Sequence, residues 1–417
     1  MKILVVSQYF WPEDFRINDL VCELVLRGHE VRVLTGVPNY PAGKVFSEYR
    51  ARPDQYKAYA GAEVCRVPML VRGTGSARLV LNYLSFVVGA CLWGPWRLRG
   101  WSPEVVFVYE PSPITVGIPA LLIAAFKKAP VVFWVLDLWP ETLSAIGVIR
   151  SPRLLKWVAH LVRFIYNRCA LVLGQSRSFL HSIARYCSDK TKVRYFPSWA
   201  EDLYADGEVQ PAPEIPAAPG TFNILFAGNI GDAQDMPAVL EAAHMLRNEP
   251  HVRWIILGGG RRLEWVHAEV QRRGLQSQVL LPGRFPVDRM PSFFAHADAL
   301  LVSLKQDPVF SLTIPGKVQS YLLSGIPVLG MLDGEGAQVI RDAGAGLTSR
   351  AGDSRGLADT VRTLLAMPQQ QRSQLGMNGR SYAQREFGRA KLMDRLESLL
   401  AEAAPQARHG HPGRVPP

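Results

Sequence analysis

The chain has 417 residues, 48% apolar and 20% charged, against a usual charged share of ~25%. That balance supports buried cores in two or three domains at ~150 residues each, and it excludes a disordered or collagen-like chain. The net charge of +11 is unevenly placed, with +12 in residues 1–200 and −1 in the remainder, so an anionic partner is expected to meet the first half. Nucleic acid, an anionic membrane surface and a phosphorylated substrate all fit that description. Five scattered cysteines without C-x-x-C spacing fit neither a disulfide framework nor a zinc site, and point to a reducing cytosol.

Ile3–Val6 reads as a first strand, too short for the apolar stretch of a signal peptide. Phe15–Arg27 places Ile17, Leu20, Val21, Leu24 and Val25 on one helical stripe, stopped by Gly28, and Val31, Val33 and Thr35 alternate as a second strand. Apolar runs at Val105–Tyr109, Val131–Leu136 and Leu171–Leu173 alternate with helical segments, the pattern of a parallel sheet covered on both faces. The stretches 79–96 and 114–126 read as buried helices. The first, interrupted by Asn82, Gly89, Gly94 and Pro95, is of borderline length for a membrane span, and the second falls short of the ~20 residues needed.

Ser151–Arg168 reads as an amphipathic helix whose apolar stripe is Leu154, Leu155, Val158, Leu161, Val162 and Ile165. Its charge comes from Arg153, Lys156, Arg163 and Arg168, on either a solvated face or a membrane-surface patch. No nucleic-acid module is recognisable. Pro211, Pro213, Pro216 and Pro219 mark a linker over 205–220. The rhythm then restarts with strands Asn223–Ala227, Trp254–Leu257, Val279–Leu281 and Ala299–Ser303. The expected architecture is α/β, with two Rossmann-like domains, 1–204 and 221–385, facing each other across a cleft. A closing helix at 386–400 that packs back on the first domain and a disordered tail at 401–417 complete it.

Several strand ends carry chemistry. Gly258-Gly259-Gly260 follows a strand and precedes a helix, as either a phosphate-binding turn or a simple tight turn. Ser311-Leu-Thr313-Ile-Pro315-Gly-Lys317 opens a helix whose N-terminus, with Lys317 in its first turn, is either a cationic pocket suited to a phosphate or an ordinary cap with a solvated Lys; Pro315 suits the first helical position, and Ser311 or Thr313 the cap or an oxygen ligand. Asp137-Leu-Trp139-Pro-Glu141 ends a strand, with Asp137 placed to act as general base on a hydroxyl and Trp139 to pack on a sugar ring, or with Asp137 simply capping the next helix. Gln8 to Arg16, with Glu13, Asp14 and several aromatic residues, forms another strand-end loop suited to ligand contact, with Asp14 as a helix cap the plainer reading and the two compatible. No Gly-x-Gly-x-x-Gly fingerprint is present, which disfavours a dehydrogenase.

Together with Gly28-His-Glu-Val31, Tyr321, Gly325-Ile-Pro327-Val and the segment Arg380–Leu399 containing Phe387, these residues resemble the retaining GT-B glycosyltransferases of family 4. A closer resemblance rests on Gln8-Tyr-Phe-Trp-Pro-Glu13, Arg16-Ile-Asn-Asp, Thr35-Gly-Val-Pro-Asn39-Tyr40-Pro, Asp137-Leu-Trp-Pro-Glu and Phe226-Ala-Gly-Asn-Ile-Gly231. These are similar to the bacterial subgroup containing the N-acetyl-L-fucosamine transferases of O-antigen and capsule assembly.

The resemblance implies a UDP-sugar donor held by the second half and a polyprenyl-diphosphate-linked sugar acceptor near the first. It places the protein in the cytoplasm, bound peripherally to the inner membrane's anionic cytoplasmic face. No cofactor and no metal are expected, and no nucleic-acid partner. Where the family carries Arg and Lys for the donor diphosphate, this chain has Asn229 and Gln234. The family's Glu pair falls on Leu312 and Ser320, its Gly-Gly after the first strand on Glu13-Asp14, and its strand-end His roughly on Asp137.

The expected donor set is therefore Asn229, Gln234, Gly259, Arg284, Ser311, Thr313, Lys317, Ser320 and Glu335, with Arg284 and Lys317 neutralising the diphosphate. Asp137 and Glu141 are the candidate catalytic residues. Glu13, Arg16, Asn39, Tyr40 and Trp139 form the acceptor side, and Arg153, Lys156, Arg163 and Arg168 the membrane contact. A sugar-nucleotide epimerase of the same architecture and a non-catalytic assembly scaffold are the alternative readings.

Overall fold

Runs of buried aliphatic residues build two parallel sheets. The computed structural model describes residues 1–404 except 74, 146–148, 150 and 202–208. Residues 205–208 of the expected linker and the expected tail from 405 onward lie outside the described residues. The chain divides into two compact units, Met1–Phe196 joined by the segment from Met393, and Pro197–Leu392.

The first unit holds β1 (Lys2–Val6), β2 (Glu30–Thr35), β3 (Ala58–Tyr59), β4 (Ala62–Arg66), β5 (Val105–Glu110), β6 (Val131–Val135), β7 (Leu171–Gly174) and β8 (Val193–Tyr195). Their order is β3-β4-β2-β1-β5-β6-β7-β8, parallel except for the β3–β4 pair. Every residue of β5 and β6 is buried, as expected of strands covered on both faces. The strand order reverses between β1 and β5, and the C-terminal ends flanking such a reversal are where open α/β sheets bind ligands.

The second unit holds β9 (Phe222–Ala227), β10 (Val252–Leu257), β11 (Val279–Gly283), β12 (Ala299–Ser303), β13 (Val328–Met331) and β14 (Gly346–Ser349). All are parallel in the order β11-β10-β9-β12-β13-β14, with the reversal between β9 and β12.

Several expectations need correcting. Helix Ser76–Arg97 is not a buried helix. Its inward stripe is small or polar, with Asn82, Gly89, Ala90 and Gly94 accompanying Phe86, while Val80, Leu81, Leu84, Val88, Leu92, Trp93 and Trp96 are exposed. The close packing explains this inversion: a Cβ on Gly89 would stand 2.1 Å from Pro68 O, and one on Gly94 would stand 2.9 Å from Ile123 Cδ1.

In helix Pro152–Arg168, Leu154 points outward and leaves the stripe, whose buried members are Val162, Ile165 and Tyr166. Pro315 is the N-cap of helix Gly316–Ser324 rather than its first residue. The described part of the Pro-rich stretch is packed on the second unit. Ala212 and Ile215 are buried, Ala212 N–H donates to Ser292 O at 2.9 Å, and Arg289 pairs with Glu214 at 2.9 Å.

The C-terminal helix, Arg389–Ala403, belongs with the first unit from Met393 onward. Arg27 Nη1 donates to Asp394 Oδ1 at 2.6 Å and Glu397 Oε2 at 2.7 Å; His29 Nε2 lies 2.7 Å from Glu397 Oε1. The helix carries residues 401–403, which the sequence reading placed in the tail, because Leu400 is buried and Glu402 pairs with Arg194 at 2.8 Å. Leu396→Ala, at a fully buried position on this helix, is expected to lower stability to urea by about 2–5 kcal/mol. Glu402→Ala, which breaks a partly exposed ion pair, should cost less than about 1 kcal/mol in the same measurement.

Candidate functional site

In the second unit, three glycines let two strand-end loops interlock. Gly228, Gly258 and Gly260 have φ of 147°, 139° and 149°. A Cβ on Gly258 would stand 1.8 Å from Gly228 O, and one on Gly260 2.4 Å from Ile230 O, so no other residue fits. The loops are tied by Gly228 N–H to Leu257 O at 3.0 Å, Ile230 N–H to Gly259 O at 2.8 Å and Gly258 N–H to Gly283 O at 2.8 Å.

Lys317 lies beside this arrangement. A Cβ on Gly228 would be 2.9 Å from its Nζ, which sits 3.8 Å from the Phe226 ring centroid and makes no hydrogen bond. Burial pushes the Lys317 ammonium down to about 7, even though the ring face favours a cation. It also sits in the first turn of its helix, where the dipole opposes positive charge. A buried amine with these costs and no protein partner is suited to an anion. The Arg284 side chain is exposed beside Gly259, and Arg262 and Arg261 reach Asp232 at 3.1 and 3.8 Å.

In the first unit, the register Val6↔Val108 sets Gln8 and Glu110 at one level, and Asp137 follows β6 by two residues. Asp137 Oδ1 accepts from Thr142 Oγ1 at 2.6 Å and Oδ2 from Trp139 Nε1 at 3.2 Å. Ser112, held at a φ of 118° that costs a non-glycine residue about 1–3 kcal/mol, also hydrogen-bonds the carboxylate. Burial raises the Asp137 carboxyl above the usual range while these donors pull against it. Asp137 remains half-buried and can meet a hydroxyl. Glu141 Oε1 accepts from Tyr186 OH at 3.1 Å, and its buried Oε2 has no partner.

The expected residues divide sharply. Asn229, Gly259, Arg284 and Lys317 gather around the glycine loops, where Asn229 Oδ1 faces Gly260. Gln234 is spent on the loop itself, accepting from Gly231 N–H at 3.2 Å. The hydroxyls of Ser311 and Thr313 donate to Pro308 O and Val309 O, and Ser320 is buried within its helix. Glu335 lies in the first turn of helix Gly334–Asp342, which a close approach of Gly334 to Ser311 O packs against the 310 turn Phe310–Leu312.

On the acceptor side, Glu13 is buried and accepts from the N–H groups of Phe10, Asn39 and Tyr40 at 3.1, 2.7 and 2.7 Å, so it staples two loops together. Asn39 is equally buried and receives Arg72 N–H at 2.8 Å. Trp139, 8% exposed, turns its indole to Asp137 rather than to a ligand. Tyr40 joins Tyr9 and Phe15 in an aromatic cluster, and Arg16 faces Tyr109. Arg153, Lys156, Arg163 and Arg168 are all exposed.

Sequence reasoning missed Arg261 and Arg262, signalled by the Gly-Gly-Gly-Arg-Arg run, and Glu110, the acid that closes the apolar strand β5. Among the described residues no three His, Cys, Asp or Glu side chains gather as a metal-binding group.

The family model described as glycosyl transferases group 1 matches residues 221–367, and that described as a glycosyl transferase 4-like domain matches 15–199. WcaI of Escherichia coli K12, named for colanic acid biosynthesis glycosyl transfer, is 30% identical over 344 residues, covering 78% of this chain and 82% of WcaI. WbjE of Pseudomonas aeruginosa, named as a glycosyltransferase, is 25% identical over 262 residues, covering 58% and 63%. Among solved structures, Anabaena HepE in complex with UDP superposes with a TM-score of 0.69 at 13% identity, covering 96% of this chain and all of HepE. WaaG, a glycosyltransferase of lipopolysaccharide biosynthesis, does so with a TM-score of 0.63 at 15% identity, covering 96% and 99%. With two parallel-sheet units and these matches across both of them, the chain belongs to the family-4 glycosyltransferases of the GT-B fold.

Proposed function

We propose that the second unit binds a UDP-sugar and that the sugar, N-acetyl-L-fucosamine being the leading candidate, is transferred with retention to a polyprenyl-diphosphate-linked saccharide held by the first unit. The product enters a bacterial surface polysaccharide. The observation that carries the donor reading is the buried, unpartnered Lys317 ammonium beside the interlocked glycine loops. The UDP and UDP-glucose complexes of HepE and the polysaccharide roles named for WcaI and WaaG support it.

As the acceptor oxygen bonds to the anomeric carbon, the bond from that carbon to the diphosphate breaks and its electron pair leaves with UDP. Lys317 and Arg284 stabilise that developing charge, and Asp137 takes the hydroxyl proton. Every group named here is preplaced by a strand end or helix start, so catalysis rests on positioning.

The acceptor's lipid implies work at a membrane, and two helices of the first unit suit an anionic surface. Neither Ser76–Arg97 nor Pro152–Arg168 contains Asp or Glu. The first is the one helix among the described residues long and apolar enough to cross a membrane, and it exposes large residues such as Leu92, 64% exposed. On the second, Trp157 is 75% exposed among Arg153, Lys156, Arg163 and Arg168. Helix Gly117–Lys127 packs against both: Gly94 meets Ile123, and Gly117 meets Ile165. Aromatic residues interleaved with basic ones suit the headgroup region.

Calorimetry at neutral pH should show UDP affinity falling about 10- to 100-fold in Lys317→Ala, the loss of one charge-assisted bond. Asp137→Ala should retain UDP affinity and lose sugar transfer. The pH dependence has a defined sign. Lys317 of the free protein loses its proton as pH rises through about 7, whereas a bound diphosphate favours the charged amine. Above pH 7, binding therefore takes up a proton, and affinity falls by up to about tenfold per unit; Lys317→Met should flatten that slope. Flotation with phosphatidylglycerol liposomes should recover the wild type, and reversing Arg153, Lys156 and Arg163 to Glu should weaken binding by about 1 kcal/mol or more per site. Equal recovery of the wild type with neutral liposomes would contradict the electrostatic part of the reading.

A further inference from the structure

Glu110 is the last residue of β5, at the strand reversal of the first unit, and is 0% exposed. Neither carboxyl oxygen has a hydrogen-bond partner of good geometry. The nearest help comes from the N–H groups of Leu136 and Asp137, and the Leu136 N–H is already given to the Glu110 backbone carbonyl at 3.0 Å. Among the described residues no cation balances it. Among the groups facing this pocket, Arg16 acts on Tyr109, and Arg72 acts on Tyr83 of helix Ser76–Arg97. Tyr166 of helix Pro152–Arg168 faces both Glu110 and Glu141, and its buried hydroxyl has no partner. The one strongly interacting charge is another acid, Asp137. The two acids differ in surroundings: Asp137 has three side-chain donors and partial exposure, whereas Glu110 has neither.

We propose that Glu110 is a positioning residue for Asp137: Glu110 keeps a proton in its desolvated site, which leaves Asp137 as the lone carboxylate presented to the acceptor hydroxyl. A carboxylate without donors or a counter-ion is disfavoured in a desolvated pocket, and two adjacent carboxylates are disfavoured further. Burial first, and Asp137 second, hold the Glu110 carboxyl well above the usual range. During transfer the acceptor hydroxyl's proton passes to Asp137 as its oxygen bonds to the anomeric carbon and the electron pair of the broken bond leaves on UDP. Asp137, the half-buried member, then returns the proton to solvent, and Glu110 keeps its own throughout. When Glu110 ionises at alkaline pH, a second negative charge stands beneath the site and repels a diphosphate-linked acceptor.

The proton kept by Glu110 is independent of the donor and acceptor assignment; its use in transfer rests on the proposed function. Infrared titration of the full-length protein reads the first part without substrate. A protonated-carboxyl band is expected at neutral pH, absent in Glu110→Gln, and its titration midpoint should fall by at least about one pH unit in Asp137→Asn, the coupling of an interacting pair. Labelling with 13C-glutamate assigns the band to a Glu should Glu110→Gln fail to fold. Transfer kinetics read the second part: the wild-type acceptor KM should rise at alkaline pH, and Glu110→Gln should remove that rise while kcat keeps the acid limb set by Asp137. An ionised Glu110 at neutral pH, or a midpoint unmoved by Asp137→Asn, overturns the coupling of the two acids. An unchanged KM profile in Glu110→Gln overturns its role in transfer. A wild type that shifts its band as expected but transfers no sugar overturns the proposed function alone.

Discussion

Parallel pairing sends every strand but β3 out at the same edge of its sheet, and the chemistry of this protein depends on that constraint. Each unit reverses its strand order once, at β1/β5 and at β9/β12, and the loops flanking the reversals collect the polar residues that the buried strands exclude. Continuous burial along β5 and β6 leaves the residues just past their ends as the first places where a charge is tolerated. Asp137 occupies such a place, as do the glycine loops after β9 and β10, whereas Glu110 is still inside the buried strand.

The two units hold their charges in opposite ways. In the second, the backbone carries the geometry. Glycines allow carbonyl approaches that a Cβ would forbid, and a single amine is buried against an aromatic ring with no counter-ion of its own. In the first, side chains do the work: hydroxyl and indole donors surround one acid, while its neighbour is left without any. Unpartnered buried polar groups cost about 1–3 kcal/mol each, so Lys317 and Glu110, both unpartnered beside strand-end loops, are candidates for function rather than for packing.

Much of this was legible in the sequence. Apolar runs located most strands to within two residues, because fully buried strands leave an unbroken hydrophobic record. The Gly-Gly-Gly turn and the Pro315-Gly-Lys317 helix start pointed to Lys317, which lies buried beside the glycine loops. Short or edge strands such as β3, β8 and β14 left no such record; β14 begins at Gly346, whose Cβ would stand 1.8 Å from Val328 O. Composition also misled at helix Ser76–Arg97, since hydrophobicity alone does not say which face is inward when the inward residues are small. Polar residues in ligand-like motifs proved equally ambiguous. Glu13, Asn39, Ser311 and Thr313 sit where contact with a ligand was expected, yet their hydrogen bonds go to nearby backbone. Only three-dimensional accounting separates such staples from a residue like Glu110, whose function shows in the bonds it does not make.

The positive excess of the first 200 residues is partly structural, since Arg27 and Arg194 anchor the C-terminal helix. What remains exposed on helix Pro152–Arg168 lies between large apolar side chains. The most direct test of the central claim is a crystal structure of the protein with UDP bound. The account predicts the diphosphate in hydrogen-bonding contact with Lys317 Nζ, beside Gly228 and the Gly258–Gly260 turn. A nucleotide bound elsewhere, with Lys317 still lying on Phe226 and touching no phosphate, would contradict it.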